Sequence, residues 1–152
     1  MATLWTRTLY GPVVGKGAAI SALGTSFSRG PTTVHSAGVC NILRGMESVG
    51  VERFIGVSAS GFVDDPDDTL LMRNVAKQIL KSVLRHPYAD MVLMEEEMKR
   101  GGSEWTIVRP PGSPTAHTGR YRTTINGNVP GSWSVSRADV ADFVVTHLRD
   151  PS

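Results

Sequence analysis

Three short, largely apolar runs alternate with helix-like segments along this chain of 152 residues. The runs cover residues 18–23, 53–58 and 104–109, and each is followed within three residues by Gly or Pro. Continuous apolar runs are typical of strands that are buried on both faces of a parallel sheet. Strands that alternate with helices predict an α/β domain with a parallel sheet and right-handed crossovers.

The segments between and after these runs carry apolar residues at helical spacing. We predict helices at residues 31–49, 71–84, 88–100 and 137–148. Pro87 separates the second helix from the third, because proline interrupts a helix interior. The sequence from Ser136 to Asp139 resembles a capping box that opens the last helix, with Asp in place of the usual Glu. We also predict a short strand at residues 121–125, before the turn signal Asn126-Gly127.

The first 17 residues differ from the rest of the chain. Gly11, Pro12, Gly15 and Gly17 interrupt them too densely for a regular element. We therefore divide the chain into an irregular N-terminal segment, 1–17, and one domain, 18–152. A composition of 40% hydrophobic and 20% charged residues is typical of a single globular domain of this length.

Charge and composition argue against several classes of partner. The 16 basic and 14 acidic residues give a net charge of +2, without the clustered basic excess of nucleic-acid-binding proteins. No apolar run approaches the roughly 20 residues of a membrane span. The first ten residues resemble neither a signal peptide nor a transit peptide, and the single cysteine cannot form an intramolecular disulfide. We expect a cytoplasmic protein with neither nucleic-acid nor membrane partners.

The carboxyl ends of the predicted strands are where a parallel α/β sheet binds ligands. In this chain those ends are Gly24-Thr25, Ser58-Ala59-Ser60 and Pro110-Pro111-Gly112. Glycine permits a close approach of the backbone to a ligand, and two consecutive prolines stiffen a loop. The residues alone therefore predict a binding site at this edge of the sheet.

Short segments along the chain also match a known family, in the same order. They are AAISALGT (18–25), RFIGVSASG (53–61), ADMVLME (89–95), WTIVRPP (105–111), GRYR (119–122) and SVSRADVADF (134–143). Together they resemble the NAD(P)H-binding, atypical short-chain dehydrogenase/reductase proteins, in the branch of NmrA-like and flavin reductase/biliverdin-IXβ reductase-like members. The resemblance implies a Rossmann-like parallel sheet with flanking helices, and NADP or NAD as the cofactor.

The resemblance also implies roles for the residues at the strand ends. The loop Leu23-Gly24-Thr25 would pass over the cofactor, and Pro110-Pro111-Gly112 would pack on the nicotinamide side. Ser58 and Ala59 would lie near the nicotinamide, with Ser58 as the candidate catalytic residue that orients the substrate or the nicotinamide amide. The alternatives are structural: Ser58 as a turn serine bonded to local backbone, and Gly24-Thr25 as a simple strand end.

The sequence departs from the family pattern in two ways. The opening strand, Gly-rich turn and helix that hold the cofactor pyrophosphate are absent. We therefore expect an incomplete, N-terminally truncated version of the fold, which lacks three strands and their helices. The acid/base pair Tyr-x-x-x-Lys of classical members is also absent, since Tyr88 is followed four residues later by Val92. The atypical branch lacks this pair as well.

For several charged and sulfur-containing side chains, the sequence favours a structural role over a role in the functional site. At a strand end Arg109 pairs with a carboxylate more often than with a phosphate. The run Glu95-Glu96-Glu97 is expected to be solvated, with an anchor of the helix as the alternative for Glu95. We interpret four basic residues as the solvated face of one helix: Arg73, Lys77, Lys81 and Arg85. Cys40 is expected to be a core thiol, and three methionines are expected in the core: Met91, Met94 and Met98.

The four histidines lie far apart and lack the spacing of metal ligands, so we predict no metal site. They are His35, His86, His117 and His147. Only His117, in the loop after Pro111, is a candidate proton donor near the predicted site. No histidine is placed by sequence to activate Ser58 as a nucleophile.

The leading functional hypothesis is an NAD(P)H-binding reductase-like domain. In the full-length family, the reaction would be hydride transfer from the nicotinamide to a small acceptor such as a flavin or quinone. The alternatives are a non-catalytic NmrA-like module that senses dinucleotide or binds a protein, and an inactive C-terminal fragment. Whether this chain is itself an enzyme is left open. Missing strands would expose a sheet edge, which predicts self-association.

Overall fold

The computed structural model describes residues 15–25, 30–60, 84–112, 119–132 and 134–149. In chain order the elements are β1 (Ala18–Ser21), α1 (Val34–Val49), β2 (Arg53–Val57), α2 (Arg85–Arg100), β3 (Glu104–Val108), α3 (Arg137–Thr146) and a 3₁₀ turn (His147–Arg149). The three strands form one parallel sheet in the order β1-β2-β3. The predicted α/β class, with a Rossmann-like parallel sheet and flanking helices, is confirmed.

One face of the sheet packs against α1 and α2, and we call it the helical face. Phe54 of the central strand β2 is fully buried in one core cluster with Val39 of α1 and Met94 of α2. Met98 is also buried in this core, whereas Met91 is half-buried, so the predicted methionine core is confirmed for two of three residues. Burial of side chains of this size stabilises the fold by roughly 1.5–3 kcal/mol each.

Several helix boundaries follow from local chemistry. Gly50 ends α1 in the left-handed conformation, with a φ of 68°. The prediction that a helix begins after Pro87 is wrong, because α2 begins at Arg85. Pro87 occupies the first turn of α2, where the N–H group that proline lacks has no partner within the helix. Cys40 is half-buried rather than a fully buried core thiol.

The predicted strand at residues 121–125 is also wrong, since these residues form no strand. Side chains tether the segment instead. The hydroxyl of Tyr121 donates to Asp142 at 3.0 Å, and Arg122 donates to the carbonyl oxygen of Pro130 at 2.9 Å. The turn that follows is present, with Asn126 at a positive φ of 60°.

Some predictions lie outside the described residues. They concern residues 1–14, the helix at 71–83 with most of the basic stripe, and the loop residues 113–118 with His117. In the described sheet β1 is an edge strand, and its Ile20 is 44% exposed. Self-association through this edge stays a prediction. None of the helices in the described ranges is long and apolar enough to cross a membrane.

Candidate functional site

A cavity of about 460 Å³ opens at the carboxyl ends of the three strands. Ala22 follows β1, Ser58 follows β2 and Pro110 follows β3, and all three line this carboxyl-edge cavity. Its volume lies within the usual 300–1,000 Å³ of small-molecule sites. The cavity therefore coincides with the edge at which a parallel sheet binds its ligands.

Helix α3 forms the wall opposite the sheet. The cavity is lined on this side by Arg137, Val140, Ala141, Val144 and Val145. Ser136 caps the helix, as predicted, because its hydroxyl oxygen accepts from the backbone N–H of Asp139 at 2.9 Å. Arg137 is the cationic side chain among the lining residues, which are otherwise mostly apolar. The walls suit a flat, largely apolar ring with a polar or anionic group near Arg137.

Ser58 is the most informative of the predicted site residues. Its backbone N–H donates to the carbonyl oxygen of Val108 at 2.8 Å, which continues the parallel ladder past the end of β2. Ser58 is 6% exposed, and its hydroxyl oxygen is buried without a hydrogen-bond partner. The alternative of a turn serine bonded to local backbone is therefore wrong. Leaving such a group unpaired costs about 1–3 kcal/mol.

The loop after β1 lies apart from the lining of this cavity. Leu23 packs against Gly38 of α1, where an added Cβ would clash with the leucine side chain. Gly24 is exposed with open space where its Cβ would point, and Thr25 is half-buried. The structure thus gives Leu23 a packing role. An approach of Gly24-Thr25 to a cofactor stays a prediction.

The loop after β3 contributes one residue to the cavity. Pro110 lines it, whereas Pro111 is half-buried and Gly112 is exposed. The carbonyl oxygen of Gly112 accepts from the N–H of Val135 at 3.1 Å, which ties this loop to the approach of α3. Ala59 is half-buried beside Ser58. Of the predicted site residues, the cavity brings together Ser58 and Pro110.

Arg109 pairs with a carboxylate, as its structural alternative predicted, and the partner is Glu95. The expectation that Glu95 is solvated is wrong, because this side chain is buried beside Arg109. Arg109 donates from Nε to Oε1 at 2.9 Å and from Nη2 to Oε2 at 2.5 Å. The hydrogen bond to Glu95 is the main reason why the pKa of Arg109 is raised. Glu95 is buried on α2, so the pair fixes the end of β3, directly before Pro110, to that helix.

A polar cluster that the sequence analysis did not identify lies at the N-terminus of α1. Asp90 of α2 is 2% exposed, and its Oδ2 accepts from the backbone N–H of His35 at 2.8 Å. The same oxygen lies 3.1 Å from ring Nδ1 of His35, while Oδ1 accepts from the N–H and the hydroxyl of Ser36. Burial raises the pKa of Asp90, but the hydrogen bonds from Ser36 and His35 outweigh it and hold this pKa below its ordinary value.

A local sequence signal could have identified Arg137 as a site residue, but no such signal exists for the His35–Asp90 pair. Arg137 stands in the first turn of a helix, where the helix dipole disfavours a positive charge. That signal was available and was missed. His35 and Asp90 are 55 residues apart, and no local pattern connects them.

A second cavity, of about 550 Å³, lies at the amino ends of the strands beside Lys16 and Arg53. The guanidinium of Arg53 donates to the carbonyl oxygens of His147 at 3.1 Å and Leu148 at 3.3 Å. It therefore anchors the turn after α3 beneath the sheet. Parallel sheets bind ligands at the opposite end. Within the described ranges, no group of three His, Cys, Asp or Glu side chains could hold a metal ion.

Comparison with known families agrees with this geometry. A family model described as NAD(P)H-binding matches residues 9–151. The chain belongs to this NAD(P)H-binding family. The NAD(P)H-binding character inferred from the strand-end segments is thereby confirmed.

Solved structures with the same fold include three relatives of low sequence identity. A protein from Bacillus halodurans, assigned as an NAD-dependent epimerase/dehydratase, is 24% identical, with a TM-score of 0.64 over 96% of this chain and 64% of that one. A short-chain dehydrogenase/reductase from Veillonella parvula, in complex with NADP, is 16% identical, with a TM-score of 0.70 over 93% and 60%. ChuY from Escherichia coli O157:H7, an anaerobilin reductase, is 23% identical, with a TM-score of 0.62 over 89% and 58%. The chain thus spans less than two thirds of each of these structures.

Proposed function

We propose that this chain binds NADPH or NADH across the carboxyl edge of the sheet, with the nicotinamide end beside Ser58, and serves the reduction of a small acceptor. The observation that carries the proposal is the hydroxyl of Ser58. It is buried without a partner at the carboxyl end of the central strand, in a member of an NAD(P)H-binding family. A nicotinamide carboxamide offers both donors and an acceptor, so it would satisfy this hydroxyl.

The bound cofactor would supply a hydride from its nicotinamide ring. The chain would supply binding and orientation. Val57, Pro110 and Val144 line the cavity with apolar surface that excludes water from one side of the ring. Arg137 would attract a polar or anionic group of the acceptor. The loops Leu23-Gly24-Thr25 and Pro111-Gly112, with Ala59, would form the rim around the cofactor.

A melting experiment with NADPH tests the proposal. A ligand that binds only the folded state stabilises it by about 2.7 kcal/mol at a hundredfold excess over its dissociation constant. We expect the melting temperature of the wild-type chain to rise with NADPH concentration. No shift with millimolar NADPH or NADH would overturn the proposal.

Two serine variants make the test specific to the site. Ser58→Ala should leave the unliganded chain equally stable or slightly more stable, because the hydroxyl has no partner to lose. It should weaken NADPH binding roughly tenfold, the value of about one hydrogen bond. Ser48→Ala, whose hydroxyl donates to the carbonyl oxygen of Gly45 at 2.8 Å in α1, is the matched control and should bind NADPH normally.

Absorbance at 340 nm then separates a reductase from a sensing module. NADPH oxidation by FMN or menadione would support the reductase. Tight NADPH binding without turnover across flavins and quinones would instead support the non-catalytic dinucleotide-sensing module.

A further inference from the structure

The amino edge of the sheet carries a row of residues that the proposed function does not use. Ala18, Arg53 and Glu104 are register partners at the start of β1, β2 and β3. Side chains alternate between the faces of a sheet, and Phe54 lies in the core of the helical face. Arg53 therefore points to the opposite face, where it binds the turn after α3. The cavity of about 550 Å³ opens beside this row, and we call it the amino-edge cavity.

Arg53 is buried without an acidic partner among the described residues. It is 7% exposed, and its guanidinium donates to the carbonyl oxygens of Glu104, His147 and Leu148. These acceptors are neutral, whereas a buried charge is ordinarily paired with an opposite charge. A guanidinium has five N–H donors, so these three bonds leave two donors, one on each terminal nitrogen. Arg53 thus lines the cavity with a positive charge that is not neutralised and with donors that are not used.

Two further cations border the same cavity. Lys16 precedes β1, and Arg149 directly follows Leu148, whose carbonyl oxygen accepts from Arg53. Both side chains are exposed, and neither forms an ion pair with any residue that the structure describes. Glu104 is the one acidic residue of the described lining. Three cations and one carboxylate give this lining a net charge of 3 − 1 = +2.

We propose that the amino-edge cavity is a second binding site, which takes a phosphate group, either as the free ion or as a phosphomonoester. A phosphate group carries close to two negative charges at neutral pH, whereas a carboxylate carries one and would neutralise half of the lining. The two unused donors of Arg53 suit two phosphate oxygens, since a guanidinium binds phosphate through parallel N–H bonds. Lys16 and Arg149 supply charge from the exposed side. The cavity volume of about 550 Å³ also leaves room for a small organic part.

This site is independent of the proposed function. The amino-edge and carboxyl-edge cavities share no described lining residue. Between Arg53 and Val57 the strand β2 spans roughly 13 Å, at about 3.3 Å per residue. A phosphate group at the amino edge therefore lies at the other end of the sheet from the dinucleotide.

Titration of the nitrogen-15-labelled chain with inorganic phosphate, followed by amide NMR, tests the site. The ionic strength is held constant, because exposed charges also respond to screening by salt. We expect saturable shifts of the amides of Gly17 and Arg149, which line the cavity, with and without excess NADPH. Glycerol phosphate is the second probe. Tighter binding of glycerol phosphate than of inorganic phosphate would support a phosphomonoester site, and the reverse order would support a site for the free ion.

Charge variants give the site a signature that general salt binding lacks. Lys16→Met and Arg149→Met each remove an exposed cation and should weaken phosphate binding about two- to fivefold, the range of an exposed charge pair. Glu104→Gln should strengthen binding by a similar factor, because it removes a carboxylate but keeps the carbonyl oxygen that Arg53 binds. Arg44→Met is the matched control. It removes an exposed cation of α1 outside the cavity lining and should leave phosphate binding unchanged.

Three results would overturn this inference. One is the absence of saturable shifts at Gly17 and Arg149 in tens of millimolar phosphate. Another is a loss of binding in Arg44→Met equal to that in Lys16→Met, because binding would then follow the overall charge of the protein. The third is loss of the shifts in excess NADPH, because phosphate would then occupy the dinucleotide site. A chain that binds phosphate but not NADPH would overturn the proposed function and leave this inference standing.

Discussion

Asp90 of α2 caps the N-terminus of α1 through His35, accepting its backbone N–H at 2.8 Å and contacting its ring nitrogen at 3.1 Å. The first N–H groups of a helix have no partners within the helix. The local N-cap residue, Thr33, forms no side-chain cap bond. A carboxylate from another helix performs that role here, so capping and helix–helix packing depend on one side chain.

Asp90→Ala should destabilise the fold by about 3 kcal/mol, because the buried N–H groups of α1 and the ring of His35 lose their acceptor. Urea unfolding followed by circular dichroism measures this change. Asp142→Ala is the control, since its exposed carboxylate accepts only a surface hydrogen bond, from Tyr121 at 3.0 Å. It should change stability by less than about 0.5 kcal/mol. Equal effects of the two variants would contradict the capping role.

Low pH should remove the contribution of Asp90 to the free energy of unfolding. Its folded-state pKa is lowered below the unfolded value of about 3.9, so the unfolded chain binds the proton first. The contribution is therefore fully present above about pH 5 and is lost as the pH falls through the folded pKa. The gap in melting temperature between wild type and Asp90→Asn should narrow from pH 7 to pH 3. A gap that widens toward low pH would refute this linkage.

Arg109→Met should cost about 3 kcal/mol, because it leaves the buried carboxylate of Glu95 without its paired partner. Lys99 also forms an ion pair with Glu95, but at 3.9 Å and from an exposed ammonium group, so it does not replace the hydrogen bonds of Arg109. Arg100→Met removes the same side chain from exposed carboxylate partners and should cost less than about 1 kcal/mol. Thermal melts of both variants test the difference. If both variants lost a similar amount of stability, the burial of Glu95 would not strengthen its ion pair with Arg109.

Gly56→Ala should destabilise the core by about 1–3 kcal/mol, since the added methyl group would lie 2.6 Å from the sulfur of buried Met98. The cost should be smaller in a Met98→Ala background, because the clash is then gone, and a double-mutant cycle measures this coupling. Gly102→Ala, with no atom within 4 Å of the added group, is the control. Additive effects of the two core substitutions would argue against this contact.

Local sequence patterns predicted the described secondary structure well where a short segment carries its own signal. The apolar runs gave strands at Ala18–Ser21, Arg53–Val57 and Glu104–Val108. Gly50 and Ser136 marked a helix end and a helix start, because capping depends on residues within one turn. The predicted strand at 121–125 failed because a strand requires a partner, and side-chain bonds to Asp142 and Pro130 hold that segment instead.

The same distinction between local signals and distant contacts applies to the candidate site. The sequence by itself determined that Ser58 and Pro110 follow strands, since the order of elements in a parallel sheet places all carboxyl ends at one edge. Only the tertiary structure decided that α3 completes the cavity with Arg137, and that Asp90 meets His35 across 55 residues. Periodicity and capping act over a few residues, whereas contacts between distant side chains depend on how helices dock against the sheet.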